Sequence, residues 1–388
     1  MIHRDIVIVA DMDLNKVRGD VIRTLSFASQ LRDNGFNVTI LSSKLSNDTL
    51  AIDLHGINLI QTSVKNEGGS IINILSRTMA IIKKANELRK SKELKTEPVF
   101  IIETSIVGGY FAWSRFPKYI LDVHGIYYNE IDYQSLPWYI PKGLYRRYNK
   151  YLEKSGARNA EKIITVSDSM SEFITNEFNV PTENVNLIPN GYFDYKINEV
   201  LKKDIKEEKG WITFLGNLSK WANIDKIIRA ARKLENNGDI KFFILGDGPY
   251  RKRLEEQLNT YCLKNVNFTG TLPLDEAYIM IVKSEIMLSP FFDDLYAKVA
   301  CPIKVLEYMA FGKAMVIDEV DDISRLLKEN NAALTCNPKD EEEFVNNILL
   351  LLKDKNLKAE IGKNALALSR EFSWEKQGVK LVCILKDF

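Results

Sequence analysis

Cys301-Pro302-Ile303-Lys304-Val305-Leu306-Glu307-Tyr308-Met309-Ala310-Phe311-Gly312 is the stretch from which the rest of the chain can be read. It predicts a helix over 302–311. Pro302 suits the first helical position, where a missing N–H is no loss. Gly312 suits the residue just past the end, where left-handed backbone is needed. Almost everything between them is apolar, so the helix is expected to be buried nearly all round. Lys304 and Glu307 are its charges, spaced to share a face. Charges on a buried helix must be paired or face a ligand, and the free N–H groups at a helix start suit a phosphate. On this stretch alone two readings stand: a core helix with Lys304 and Glu307 paired at its edge, or a helix facing a bound anion.

Outward from it, strand-like and helix-like segments alternate. Upstream run Trp211–Gly216, Lys241–Leu245, Val266–Thr269 and Ile286–Ser289 as strands, with helices at 224–234, 251–258 and 275–283; downstream come strands at 314–317 and 332–335 and helices to the end. A first alternation opens the chain: strand 5–10, helix 21–34 stopped by Gly35, strand 36–41, then strands near 58–61, 99–103, 119–123, 162–166 and 185–188, with helices at 71–89 and 143–157. Such βαβ series imply parallel sheets with right-handed crossovers. The fold expected is α/β, two Rossmann-like doubly wound domains facing a central cleft, with ligands beyond the carboxyl ends of the strands. The boundaries expected are 1–191, a polar linker at 192–209 without a clear core face, a second domain at 210–370 and a C-terminal helix within 371–388.

A length of 388 residues accommodates two ordinary domains. A net charge of +1 implies no global attraction to polyanions, and no nucleic-acid partner is expected. The four cysteines form no CxxC pair, which argues against a zinc knuckle or disulfide framework, and the three histidines suggest no metal site. No signal peptide is visible. The longest apolar run, Val99–Trp113, is broken by Glu103 and Gly108-Gly109 and is too short to span a bilayer. A cytoplasmic protein is expected, at most peripheral to the inner face of the cell membrane.

Several stretches can carry chemistry. Gly246-Asp247-Gly248-Pro249 follows a strand and could approach a phosphate, or simply make a tight turn; the third glycine of the dinucleotide fingerprint is replaced by Arg251. In Gly216-Asn217-Leu218-Ser219-Lys220-Trp221, Lys220 could meet a diphosphate or be solvated. Asp122-Val123-His124-Gly125 ends a strand; His124 could act in a cleft or cap local backbone. Asn190-Gly191 is a turn signal. Trp138 with Lys142, Arg146, Arg147, Lys150 and Lys154 draws an aromatic and basic stripe, either a solvated helix face or a contact for anionic lipid. Neither a P-loop nor a G-x-S-x-G elbow occurs.

The segment Ser289-Pro290 followed by Pro302-Ile303-Lys304-Val305-Leu306-Glu307-Tyr308-Met309-Ala310-Phe311-Gly312-Lys313-Ala314 resembles the donor-binding segment of glycosyltransferase family 4, retaining enzymes of the GT-B fold. Phe214-Leu215-Gly216, Gly246-Asp247-Gly248-Pro249, Ile188-Pro189-Asn190-Gly191 and Phe372-Ser373-Trp374-Glu375 extend the resemblance along nearly the whole chain. It implies transfer of a sugar from a nucleoside-diphosphate sugar to a glycan or lipid-linked acceptor, with no cofactor or metal required. It also implies that Glu307 holds the ribose and that the backbone of Cys301, Pro302, Ile303 and Lys304 holds diphosphate or sugar. Asn217 and the Gly246, Asp247, Gly248 turn would line the nucleotide-sugar, and Gly19 the diphosphate. Leu272 would lie near the base and His124 beside the sugar, with Lys220 and Lys304 supplying catalytic positive charge. The last helix would cross back to the first domain. Two positions depart from the family pattern: Val299 stands where a glutamate usually contacts the donor sugar, and Asn217 and Ala222 stand where a basic pair is usual. Asp293 or Asp294 could replace that glutamate. A non-catalytic nucleotide-sugar binder and a GT-B sugar-nucleotide epimerase are the alternatives.

Overall fold

The computed structural model describes residues 4–15, 18–45, 54–65, 71–91, 94–133, 136 and 140–388, which form two compact units. The first comprises residues 1–190 with 374–388, the second 191–373.

In the first unit, continuous β-branched and apolar runs make the central strands buried on both faces, as a parallel sheet covered by helices requires. Its strands are β1 (Asp5–Ala10), β2 (Asn37–Lys44), β3 (Asn58–Lys65), β4 (Val99–Glu103), β5 (Ile120–Val123), β6 (Lys162–Thr165) and β7 (Val185–Leu187). They lie in the order β3-β2-β1-β4-β5-β6-β7, all pairs parallel. The order reverses between β1 and β4, which opens a crevice at their carboxyl ends. The register sets Glu103 opposite Asp122 there. The long apolar run resolves into β4 and a helix, Ser105–Trp113. Gly108 and Gly109 do not break that helix; they let it touch helix Lys142–Asn159. A Cβ on Gly109 would fall 2.4 Å from the Leu152 carbonyl oxygen, and one on Gly156 2.6 Å from Gly109 N. The terminal helix Trp374–Lys386 packs in this unit on helix Gly19–Asp33, with Trp374 edge-on to Phe27 at 6.2 Å. A Cβ on Gly378 would lie 2.6 Å from Gln30 Cβ.

The second unit has strands β8 (Trp211–Leu215), β9 (Lys241–Leu245), β10 (Val266–Gly270), β11 (Ile286–Ser289), β12 (Met315–Asp318) and β13 (Leu334–Cys336). Their order is β10-β9-β8-β11-β12-β13, again parallel throughout and reversing between β8 and β11. One element differs from the sequence reading. Residues 192–209, read as a polar linker without a clear core face, hold helix Asp194–Leu201, whose Ile197 and Val200 are buried. Two apolar side chains among charges escape a periodicity count, yet they suffice to dock two turns of helix.

The stretch around Glu307 forms helix Ile303–Ala310. Pro302 is its N-cap, one position earlier than expected, with extended backbone that proline favours. Gly312 takes φ +63°, the left-handed conformation expected beyond the end.

Candidate active site

Helix Ile303–Ala310 is fixed from both sides. Tyr308 is fully buried, and its hydroxyl accepts the Leu215 N–H at 2.8 Å, which ties the helix to the end of β8. Lys304 and Glu307 share a face but do not pair, so the edge-pair reading fails. Glu307 is buried, and Tyr278 Oη donates to its Oε1 at 2.8 Å. Burial pushes the Glu307 carboxyl up to about 7, with the Tyr278 hydrogen bond working the other way. Lys304 is half-buried at the switch point. Its ammonium lies 4.2 Å from the Phe214 ring centroid, 4.8 Å from Phe291 and 6.0 Å from Trp221. Burial lowers the Lys304 amine to about 7, and the Asp321 charge opposes that fall. Phe291 and Trp221 stack at 5.8 Å with planes 7° apart, so the loops after β8 and β11 together make an aromatic wall for Lys304. Cys301 is buried, whereas Pro302 and Ile303 are half-buried at the helix start, where amides lack carbonyls from a preceding turn. As a proline, Pro302 offers no N–H to that set.

The two glycine-containing turns have a structural reason. Gly246, at φ +126°, approaches the turn after β8 so closely that a Cβ would fall 2.0 Å from the Gly216 carbonyl oxygen. On Gly248 it would fall 2.3 Å from Asn217 Oδ1. Backbone bonds lace the turns together, Gly216 N to Leu245 O at 2.9 Å and Leu218 N to Asp247 O at 3.0 Å. The Asp247 carboxylate accepts from Gly248 N at 2.7 Å and from Arg251 at 3.0 Å. Asn217 and Lys220 are exposed on the same loop, and Leu272 is half-buried between β10 and helix Leu274–Lys283. Val299 is buried at 2% exposure. Asp293 pairs with Lys298 at 2.9 Å, and Asp294 caps helix Leu295–Lys298 through Ala297 N. Both acids thus have local partners in the loop before Val299.

In the first unit, His124 follows β5 and meets two acids at the carboxyl end of the sheet. Its Nδ1 is 3.7 Å from Glu103 Oε2 and 3.8 Å from Asp122 Oδ2. Both carboxylates are fully buried. Arg23, itself 1% exposed, donates to both Asp122 oxygens at 2.7 Å and reaches Asn190 Oδ1 at 3.1 Å and Pro189 O at 3.3 Å. Burial would raise Asp122, but the Arg23 guanidinium overrides it and holds the carboxyl well below the usual range. Glu103, Asp122 and His124 bring possible ligand atoms within 4.8 Å of one another. Arg23 already occupies Asp122 with a positive charge, so this trio fits an ion poorly. Arg23 and Glu103 escaped the sequence reading. The available signal for Glu103 was a lone acid closing an otherwise apolar strand. Asn190 proves to be more than a turn residue, since it binds Arg23. Gly19 is exposed at the start of helix Gly19–Asp33 beside the Arg18–Asp20 ion pair.

The basic stripe lies on helix Lys142–Asn159 and is largely compensated. Lys142 and Arg146 pair with Asp132, Lys150 pairs with Glu177, and Lys154 donates to Glu177 O, while Arg147 is exposed. Trp138 lies outside the described residues. Among the described residues no helix is long and apolar enough to cross a membrane.

Two doubly wound parallel sheets of this kind, each with charged residues at its switch point, define the GT-B class. Comparison with known proteins then names the family. The family model "Glycosyltransferase Family 4" matches residues 17–192, and "Glycosyl transferases group 1" matches 196–367. The chain belongs to the family 4 glycosyltransferases. It is 25% identical over 236 residues to the uncharacterized glycosyltransferase MJ1069 of Methanocaldococcus jannaschii, spanning 59% of each chain. The chain thus spans about three fifths of the length of such curated relatives. Sucrose-phosphate synthase from Thermosynechococcus elongatus superposes with TM-score 0.82 at 14% identity, covering 99% of both chains. Anabaena HepE in complex with UDP-glucose superposes with TM-score 0.74 at 17% identity, covering 100% of both.

Proposed function

We propose that the chain is a retaining glycosyltransferase that moves a sugar from a nucleoside-diphosphate sugar to a hydroxyl of a glycan or lipid-linked acceptor. The observation that carries this reading is helix Ile303–Ala310. It presents a buried carboxyl, Glu307, and a ring-walled amine, Lys304, on one face at a topological switch point, and neither neutralises the other. A buried carboxylate held by one phenol has acceptor capacity left for ribose hydroxyls. An amine lowered to about 7 by burial regains its proton when a diphosphate supplies the missing negative charge.

In the reaction the bond from the anomeric carbon to the leaving phosphate oxygen breaks. The acceptor oxygen forms its bond on the same face, and its proton passes to the leaving phosphate. Charge grows on the diphosphate, and Lys304, Lys220 and the amides of Ile303 and Lys304 stabilise it where it develops. Cys301 shapes the backbone before that helix start; Gly19, Asn217 and the Gly246, Asp247, Gly248 turn line the diphosphate, Leu272 the base, and His124 the transferred sugar. Unit 1–191 then serves the acceptor and 210–370 the donor. Donor candidates are UDP- and GDP-sugars; HepE, of the same fold, is seen with UDP-glucose. The membrane part of the reading rests on Arg147 and on exposed Leu144, Tyr151 and Trp113, since Lys142, Arg146 and Lys150 have acidic partners and Lys154 is held by a backbone carbonyl.

The purified chain is offered a panel of UDP- and GDP-sugars, and binding, hydrolysis and transfer are measured. Glu307→Ala should lose most donor affinity, about 10- to 100-fold for a buried charge-assisted contact; unchanged affinity sinks the ribose assignment. Saturable binding with neither hydrolysis nor transfer favours a non-catalytic binder, the reading that buried Val299 supports. Sedimentation with anionic vesicles over a salt series tests the membrane contact.

A further inference from the structure

Glu103 closes β4 with a fully buried side chain and neither carboxyl oxygen hydrogen-bonded. The Arg23 guanidinium directs Nε and Nη2 to Asp122 and Nη1 to Asn190 and Pro189. What faces Glu103 is the His124 imidazole, whose Nδ1 sits 3.7 Å from Glu103 Oε2 and 3.8 Å from Asp122 Oδ2. That is just beyond hydrogen-bond range, and catalytic hydrogen bonds are often long before substrate binds. The His124 nitrogens also lack a hydrogen-bond partner.

We infer that Glu103 is a positioning residue for His124: together with Asp122 it holds the imidazole as its Nδ1–H tautomer and leaves Nε2 as a lone-pair acceptor for a substrate hydroxyl. This deepens the glycosyltransferase reading, on which the role of His124 beside the sugar rests.

The charge balance of the cluster follows from its packing. Asp122 and His124 come from β5 and its end, and Arg23 and Asp20 come from helix Gly19–Asp33. Arg23 and Asp122 cancel. The parallel register sets the Glu103 carboxyl beside that of Asp122, and two adjacent buried carboxyls do not both ionise. Burial first, then the Asp122 charge, raise Glu103 well above the ordinary carboxyl range; Arg23 opposes this and Asp20 adds to it. Glu103 therefore keeps its proton and donates it toward Asp122. Its other oxygen accepts from His124 Nδ1–H. A ring nitrogen facing two acceptor oxygens is the protonated one, so the tautomer is fixed from behind. A glutamine at this position reproduces the same donor and acceptor pattern, whereas leucine offers neither.

Imidazole nitrogen NMR on the full chain labelled at histidine tests this. The chain has three histidines, and His124 is assigned by the signal absent from His124→Asn. At pH 8 the wild type should show a protonated Nδ1 and an unprotonated Nε2. Glu103→Gln should keep that state, and Glu103→Leu should shift the ring toward the Nε2–H tautomer. A wild-type His124 in the Nε2–H form, or a Glu103→Leu ring unchanged from wild type, overturns the proposal. In turnover assays Glu103→Leu should lower kcat about 10- to 100-fold with little change in donor KM. Glu103→Gln should rescue most of that loss; equal loss in both variants overturns the proposal. The NMR result stands whatever the activity, so a wild-type chain that transfers no sugar defeats the functional reading and leaves the tautomer question decided.

Discussion

Glu307→Gln separates two consequences of a single buried carboxyl, because stability and binding are expected to move in opposite directions. Burial raises the Glu307 carboxyl from 4.5 to about 7 in the folded chain. The folded state thus holds a proton that the unfolded state releases between those values. Stability from this group is fully present below about 4.5 and is lost as pH climbs to about 7. At about 1.4 kcal/mol per pH unit, acting chiefly between pH 5 and pH 7, the wild type forfeits about 2.5 kcal/mol between pH 5 and pH 8 through this residue. The amide of the variant does not titrate. It brings its own fixed cost, about 1–3 kcal/mol for buried N–H groups without acceptors, but that cost is the same at every pH. The assay is thermal unfolding of both proteins at pH 5 and pH 8, taking the difference of differences so that the fixed cost cancels. In a unit of this size the expected relative gain of the variant at pH 8 is ~6–10 °C. Donor affinity at pH 8 should fall in the same protein, since ribose hydroxyls lose a carboxylate. Tm differences equal at the two pH values would refute the buried-carboxyl argument, whatever the binding result.

Lys304→Met keeps the ring packing and removes the amine: the fold should keep its stability within about 1 kcal/mol, while calorimetry should show nucleoside-diphosphate affinity reduced. In the wild type that affinity should weaken as pH rises through about 7, the value to which burial lowers Lys304, and the variant should lose this pH dependence. Gly246→Ala would drive a Cβ to 2.0 Å from the Gly216 carbonyl at φ +126°, so urea unfolding should report a loss of about 3 kcal/mol or more. Lys226→Ala would strand Asp318, which accepts from the lysine at 2.6 Å with both side chains buried. About 3–5 kcal/mol should be lost, and replacing both residues with apolar ones should recover part of it.

By itself the sequence determined the architecture. The alternation of fully apolar runs with periodic segments forces parallel βαβ series, and the strands Val99–Glu103, Lys241–Leu245 and Ile286–Ser289 fall where that pattern puts them. The markers of helix Ile303–Ala310 were legible too, because proline and glycine act through local backbone sterics. The helix Asp194–Leu201 was not, since its core face is two residues wide. Nor was the reason for Gly108, Gly109, Gly246 and Gly248: each is small because another part of the chain comes within contact distance, which no local window records. Tertiary structure alone decided the partners of the charges. Lys304 and Glu307 are neighbours in sequence and share a face, yet Glu307 is held by Tyr278 and Lys304 by rings from β8 and the loop after β11. Arg23 and Glu103 meet Asp122 and His124 only because the strand order reverses between β1 and β4 and the register brings Glu103 level with Asp122. Local sterics fix elements, and only long-range pairing fixes which buried charge faces which.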